Sequence, residues 1–482
     1  MQTRSDLRLL IIGLAIWSGA ALVGLAPSQY FVLVAPIWVW LFGWHRTVAL
    51  LIVVAMITGG LLMAIRLHAL DQTLITPLLD SNKGVVAIVS IRSDPTLGQP
   101  KDEGGYIKPA STTALVSAIS VTQGGQRYSL HLPLRLTTSE QVHWLPGSVV
   151  SCHGVFYSST ERRVAALFAV RGHCSLLHGA STIGRWAGGL RGDFRSISLR
   201  LGSQAGALLP GLVLGDTSLE SPQFKNEMLR TGLTHLTAVS GENFAILAAF
   251  LSWLLQWFIP RARIRLLINA TVLIGFIFLV RPSPSVLRAT VMVGVMMLGQ
   301  ARGVRGTALT GLGGAIAILI FLDPFEATDP GFALSVAATA GILLSQRPLA
   351  HILAKRVRFQ SLAELLAIPL AANLFCIPIS IAISGIFSCA ALPANILVEP
   401  VIAPLTIIGF IAALLAPLWP EVGYLLLTTQ RFFAQWIVIV AHYGANLPTP
   451  TLPKGWAGAG VGLSGIAILL ISLQVGRSLR IR

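Results

Sequence analysis

Polar and ionisable side chains interrupt four stretches of this sequence that are otherwise apolar enough to enter a bilayer. In GLTHLTAVSGENFAIL, residues 232–247, they are His235, Ser240, Glu242 and Asn243, with Gly241 between. RPSPSVLRATVM at 281–292 carries Arg288, DPGFALSVAATAGIL at 329–343 carries Asp329 and Ser335, and LPANILVEPVIAP at 392–404 carries Asn395 and Glu399. An ionisable group at membrane depth is costly, so it normally faces a bundle interior or a hydrated cavity and marks a pathway. A guanidinium there can replace water around an anion with fixed donors. Carboxyls such as Glu242 and Glu399 would repel a polyanion unless Arg288, His235 or protonation neutralised them.

Chain direction turns these offsets into depth. Spans that alternate in direction put His235, Glu242, Arg288, Ser335, Asn395 and Glu399 in the outer half of the bilayer. At about 1.5 Å per residue, Glu242 and Arg288 each lie roughly 10–15 Å deep and are expected to pair. Pro282, Pro284, Pro369, Pro378, Pro393, Pro400 and Pro404 lie in or near these segments. Broken helices are tolerated at that depth only where protein or water satisfies the freed backbone, which implies a path rather than simple helix packing.

The elements that must hold these residues follow from composition. Of the 482 residues, 54% are hydrophobic and 11% charged, against about 25% charged in soluble domains. Apolar runs recur at 7–26, 30–43, 47–65, 233–259, 266–280, 286–300, 307–322, 331–345, 361–386, 395–417, 422–443 and 457–475, which reads as about twelve spans. The net charge of +16 raises the question of nucleic acid, but many of the basic residues are explained by topology. Arg4, Arg8, Arg46, Arg261, Arg263, Arg265, Arg302, Arg305, Arg347, Lys355, Arg356, Arg358, Arg477, Arg480 and Arg482 fall on one side of the alternation, opposite Asp323, Glu326 and Asp329. The positive-inside rule then puts both termini in the cytoplasm of a multi-pass protein of the cytoplasmic membrane. No small-residue cleavage site follows the first run, so it is expected to remain as a span.

Four regions result: N-terminal helices at 1–67, an extracytoplasmic β domain at 68–181, an Arg-rich amphipathic stretch at 182–232 expected at the membrane interface or as a solvated helix bridging barrel and bundle, and a helical channel domain at 233–482. In the second, strands are predicted at 84–91, 112–122, 127–136, 147–156 and 163–171, with Gly124-Gly125 at a hairpin turn. Five strands suit a small barrel of the OB-fold kind. Its aromatic residues Tyr106, Tyr128, Trp144, Phe156, Tyr157 and Phe168 could stack bases or simply fill a core. Cys152 and Cys174 are expected to form a disulfide on the oxidising side. The alternative, a metal held by Cys152, His153, His173 and Cys174, is disfavoured because neighbours on a strand point to opposite faces.

Taken in order, these four polar strings resemble the competence region of the ComEC-type DNA-uptake channels, and VLGD at 213–216 and the preceding small barrel are similar as well. The resemblance covers about residues 80–420. It implies a polytopic α-helical membrane protein with an OB-fold-like outer domain that passes single-stranded DNA into the cytosol during natural transformation. His235, Ser240, Gly241, Arg288, Ser335 and Asn395 match family positions and are expected along the DNA path. Where many members have Gly-x-His, this chain has Gly241-Glu242-Asn243. Many members continue into a metallo-β-lactamase-like domain, which needs an H-x-H-x-D-H cluster. No such string precedes Arg482, so no enzyme activity is expected here and strand degradation is assigned to a separate nuclease. A separate DNA receptor and a cytoplasmic motor are expected too, since the sequence has no G-x-x-x-x-G-K-[ST] phosphate loop. No cofactor is called for. Other classes remain: a secondary transporter of a small solute, for which buried carboxyls and broken helices are also expected, and a membrane anchor for the outer barrel.

Overall fold

The computed structural model describes residues 6–25, 46–71, 79, 83–98, 101–103, 106–108, 111–140, 142, 144–159, 161–237, 239–281, 284–301, 308–355, 357, 359–455 and 457–464. The expected span 30–43, most of the one at 457–475, and the basic residues Arg302, Arg305, Arg356 and Arg358 lie outside the described residues. The chain divides into two compact units, one of residues Met1–Gly60 with Asp193–Arg482 and one of Leu61–Gly192.

Two long apolar helices come first, α1 (Asp6–Leu25) and α2 (Arg46–Asp71). Then follow β1 (Val85–Ile91), β2 (Thr96–Leu97), β3 (Lys101–Glu103), β4 (Tyr106–Lys108), β5 (Thr112–Gln123), β6 (Gln126–Thr138), β7 (Val149–Tyr157), β8 (Ala166–Val170) and β9 (Ser175–His178). Thereafter the described regular structure is almost all helical: α3 (Thr182–Leu199), α4 (Gln204–Leu214), α5 (Pro222–Arg230), α6 (Gly241–Phe258), α7 (Ala262–Val280), α8 (Pro284–Ala301), α9 (Ala308–Leu322), α10 (Pro330–Ala354), α11 (Gln360–Ser384), α12 (Ala391–Leu415) and α13 (Pro420–Gly444).

In the unit Leu61–Gly192 alternation does the work. β1 buries Val85, Ala87, Val89 and Ile91 and turns the residues between them outward, the period-2 pattern of a strand packed on one face. β5 and β6 are joined by Gly124 and Gly125, at φ +55° and +85°, a left-handed pair that glycine adopts without strain. β1 pairs antiparallel with β5 and also with β7; β5 pairs with β6, β6 runs parallel to β8, and β8 pairs with β7. The pairing therefore returns to β1. β2, β9 and the separate β3–β4 hairpin have no counterpart among the predicted strands. Phe156 and Phe168 are fully buried, ring to ring at 5.0 Å. That corrects the base-stacking option for these two: they are core. Tyr128 and Trp144 pack on the same core, and Tyr157 is exposed. Cys152 and Cys174 are joined as a disulfide, tying β7 to the start of β9. His153 is exposed and His173 contacts Glu140, so the four-ligand alternative does not assemble.

In the helical unit, small residues set the spacing. A Cβ on Gly13 of α1 would stand 2.4 Å from the Gly313 carbonyl oxygen of α9, and one on Gly59 of α2 would stand 2.0 Å from the Ile16 oxygen. Backbones touch there because nothing intervenes. On α2, Leu50, Val54, Ile57, Leu61 and Ile65 form an exposed apolar stripe at helical spacing, a surface that suits lipid and not water. Seven described helices are long and apolar enough to cross a membrane: α1, α2, α7, α10, α11, α12 and α13. α4, α9 and the described part of α8 are apolar but shorter. Of the twelve expected spans, 30–43 and most of 457–475 lie outside the described residues, and the runs at 233–259, 286–300 and 307–322 form α6, α8 and α9, which are not among the seven. α4 is buried from Leu208 to Leu214, which corrects the surface-lying role expected for that part of 182–232.

Candidate functional site

The local chemistry of helix ends places most of the singled-out residues. Gly215, at φ +71°, ends α4; its amide and that of Asp216 bond back to the carbonyls of Gly211 and Pro210, a glycine C-cap. The Asp216 carboxylate caps the next turn through the Ser218 amide at 3.1 Å and accepts from Nε of Arg195 at 2.8 Å. VLGD is thus a helix stop joined to a helix start. Arg195 and Arg200 are committed within the fold, the latter to Glu421 at 2.9 and 3.0 Å.

Ser240 caps α6, its hydroxyl accepting from the Asn243 amide at 3.2 Å, as Ser does at a helix start. His235 lies before that cap, on the turn Thr234–Leu236, and is exposed. The expectation that it enters the bundle as part of a span is corrected: the helix begins six residues later, at Gly241. Gly241 faces Ala289 of α8, with 3.4 Å between a Cβ on the glycine and the alanine Cβ. Asn243 is buried; its Nδ2 donates to the Leu212 carbonyl of α4 at 3.0 Å, and its Oδ1 accepts from Thr406 of α12 at 3.2 Å. One amide therefore ties three helices together.

Arg288 of α8 is buried and does not pair with Glu242. Its Nη1 lies 3.3 Å from Glu326 and 3.6 Å from Asp329, and its guanidinium lies 6.0 Å from the Phe332 ring. The expected Glu242–Arg288 pair fails for a geometric reason. α6 and α8 meet through the small pair Gly241 and Ala289, while the turn Pro324–Thr328 and Asp329, the residue that caps α10, bring two acids to the guanidinium. That turn is rigidly framed. Asp323 and Asp329 each precede a proline and cap the helix that follows, through the amides of Phe325 at 3.0 Å and Phe332 at 2.8 Å. Trp17 of α1 donates to the Ala327 carbonyl at 2.9 Å and packs edge-on against Phe332.

Glu242 turns to α12, where its carboxyl meets that of Glu399 within hydrogen-bonding reach. A bond between two carboxyl groups exists only while one of them holds a proton. Asn395, one turn before Glu399, donates to its own helix at Ala391, and Ser335 is half-buried on α10. Sequence reasoning used Glu326 only as a marker of loop charge and passed over Thr406. The signal for Glu326 was present in D-P-F-E-A-T-D-P, an acid between two Asp-Pro helix starts, whereas nothing local marks Thr406.

The motif residues thus fall into two linked clusters. Glu242 and Asn243 join α6 to α12, Arg288 joins α8 to the start of α10, and Gly241 against Ala289 joins the halves. The family described as Competence protein matches residues 212–478, which is more than half of the chain and includes both clusters. Over 232 residues the chain is 27% identical to ComE operon protein 3 of Bacillus subtilis (strain 168), a stretch covering 48% of this chain and 29% of that relative. The match spans less than a third of that protein. No solved structure matches. With this family match resting on the segment that holds both clusters, the chain belongs to the competence protein family.

Proposed function

We propose that this chain takes part in DNA uptake during natural transformation, forming the path by which a single strand crosses the cytoplasmic membrane. The observation that carries the reading is the joining of polar motif residues from α6, α8, α10 and α12 inside a unit whose outward helix faces are apolar. Polar groups held this way on rigid helices are what a hydrated path through lipid needs. Family membership supports the class of process. In this reading both termini are cytoplasmic and the β domain at 68–181 is extracytoplasmic, where the Cys152–Cys174 bridge persists. Its pairing order, with β1 bonded to both β5 and β7 and a parallel β6–β8 pair, supports an OB-type barrel. The chain acts without catalysis of its own, alongside a separate DNA receptor, a nuclease and a cytoplasmic motor. A clean deletion with plasmid complementation tests the proposal, scored for transformants and for labelled DNA in the cytosol. Undiminished delivery of label in the deletion strain would refute it.

A further inference from the structure

Glu220 belongs to none of the polar motifs, yet it is one of the few buried acids of the helical unit. It ends the turn Thr217–Leu219 between α4 and α5, outside the membrane-crossing helices, and is 6% exposed. Among the described residues neither of its carboxyl oxygens has a hydrogen-bond partner. A buried carboxylate left this way forfeits its hydration without compensation. The surroundings supply an acceptor instead of a donor. The point that a Cβ on Gly211 would occupy lies 2.6 Å from Glu220 Oε1 and 2.8 Å from the Thr237 carbonyl oxygen. Only glycine leaves room for both oxygens over α4.

We propose that Glu220 is a proton-operated latch on the entry to α6: as a neutral acid it donates to the Thr237 carbonyl and fixes the turn Thr234–Leu236 and the Ser240 cap, and on ionisation it repels that carbonyl and frees them. The latch acts on the segment carrying His235 and the Ser240 cap, and it stands whether or not the chain conducts DNA. The charges around it favour the neutral form only in part. α4 has no ionisable side chain. Lys225 of α5 opposes the neutral form and Asp216 supports it, though Asp216 is engaged by Arg195. Glu227 and His442 bind each other at 3.1 Å, His235 is exposed, and Glu242 faces Glu399. Burial is the largest influence and pushes the Glu220 carboxyl up from its ordinary 4.5 to about 7.

The sign follows from linkage. Between about 4.5 and about 7 the closed form binds the proton more tightly than an open form, so closure weakens as pH rises through that window and levels off above it. Hydrogen exchange on the purified full chain in lipid nanodiscs reads this directly. After correction for intrinsic exchange, protection of the turn Thr234–Leu236 and the Ser240 cap in the wild type should fall about tenfold between about pH 6 and about pH 8. In Glu220→Gln, whose amide donates at every pH, it should not change. A response due to His235 would survive in the Gln variant and would overturn the proposal. So would wild-type protection that stays flat over the same range, a result that needs no variant.

Discussion

Arg288 is where charge and packing can be separated. It is 5% exposed, and Glu326 beside it is 6% exposed, so neither solvent nor salt screens the pair. Breaking such a pair from one side costs about 3–5 kcal/mol, while replacing both partners with neutral groups of similar volume is close to neutral. Arg288→Met should therefore lose about 3–5 kcal/mol of stability. Adding Glu326→Gln should return about 2–3 kcal/mol of it. The recovery stays incomplete because Asp329, 3.6 Å from the guanidinium, remains, but its side chain is 24% exposed and keeps some hydration. Adding Glu242→Gln instead should return less than about 0.5 kcal/mol, the scatter expected for sites that do not touch. Unfolding in mixed micelles, with the single variants included, gives the two coupling energies. A coupling of Arg288 to Glu242 as large as that to Glu326 would refute the assignment of partners. The same strains then address function: if Arg288→Met with Glu326→Gln restores abundance but not cytosolic DNA delivery, Arg288 acts on the transported strand, and if it restores both, Arg288 is a counter-ion.

Further perturbations test the rest of the arrangement. Asn243→Ala leaves the Leu212 carbonyl and the Thr406 hydroxyl unpartnered and should cost about 1–3 kcal/mol, with Thr406→Val adding little on top in the same unfolding assay. Cys152→Ser with Cys174→Ser should cost about 3 kcal/mol for a bridge between residues 22 apart, read as a lower melting point of the sheet signal; two free thiols in native material kept from reductant would contradict the bridge. Gly13→Val should separate α1 from α9, since its Cβ would lie 2.4 Å from a backbone oxygen, and should abolish accumulation of the protein in membranes. Reporter fusions at Gln126 and Gln360 should report opposite compartments, and the same compartment for both would remove the proposed topology.

Much of the architecture was legible in the chain itself. Apolar runs and period-2 alternation are local properties, so the long helices and all five main strands could be read without partners, as could the Gly124-Gly125 turn. Asp-Pro helix starts and the Ser240 cap are local signals too, because a cap is a contact over three residues, but the expected span 233–259 runs through Ser240 without using them. What the sequence did not contain was which surfaces meet. Whether an apolar stretch such as Gln204–Leu214 faces lipid or other helices depends on neighbours far along the chain. The same is true of charge: Arg288 and Glu242 have matching depth and opposite sign, yet a glycine–alanine contact between α6 and α8 and the turn after α9 assign them different partners. Depth is a count of residues along one helix, but partnership is an angle between helices, and only packing sets that angle.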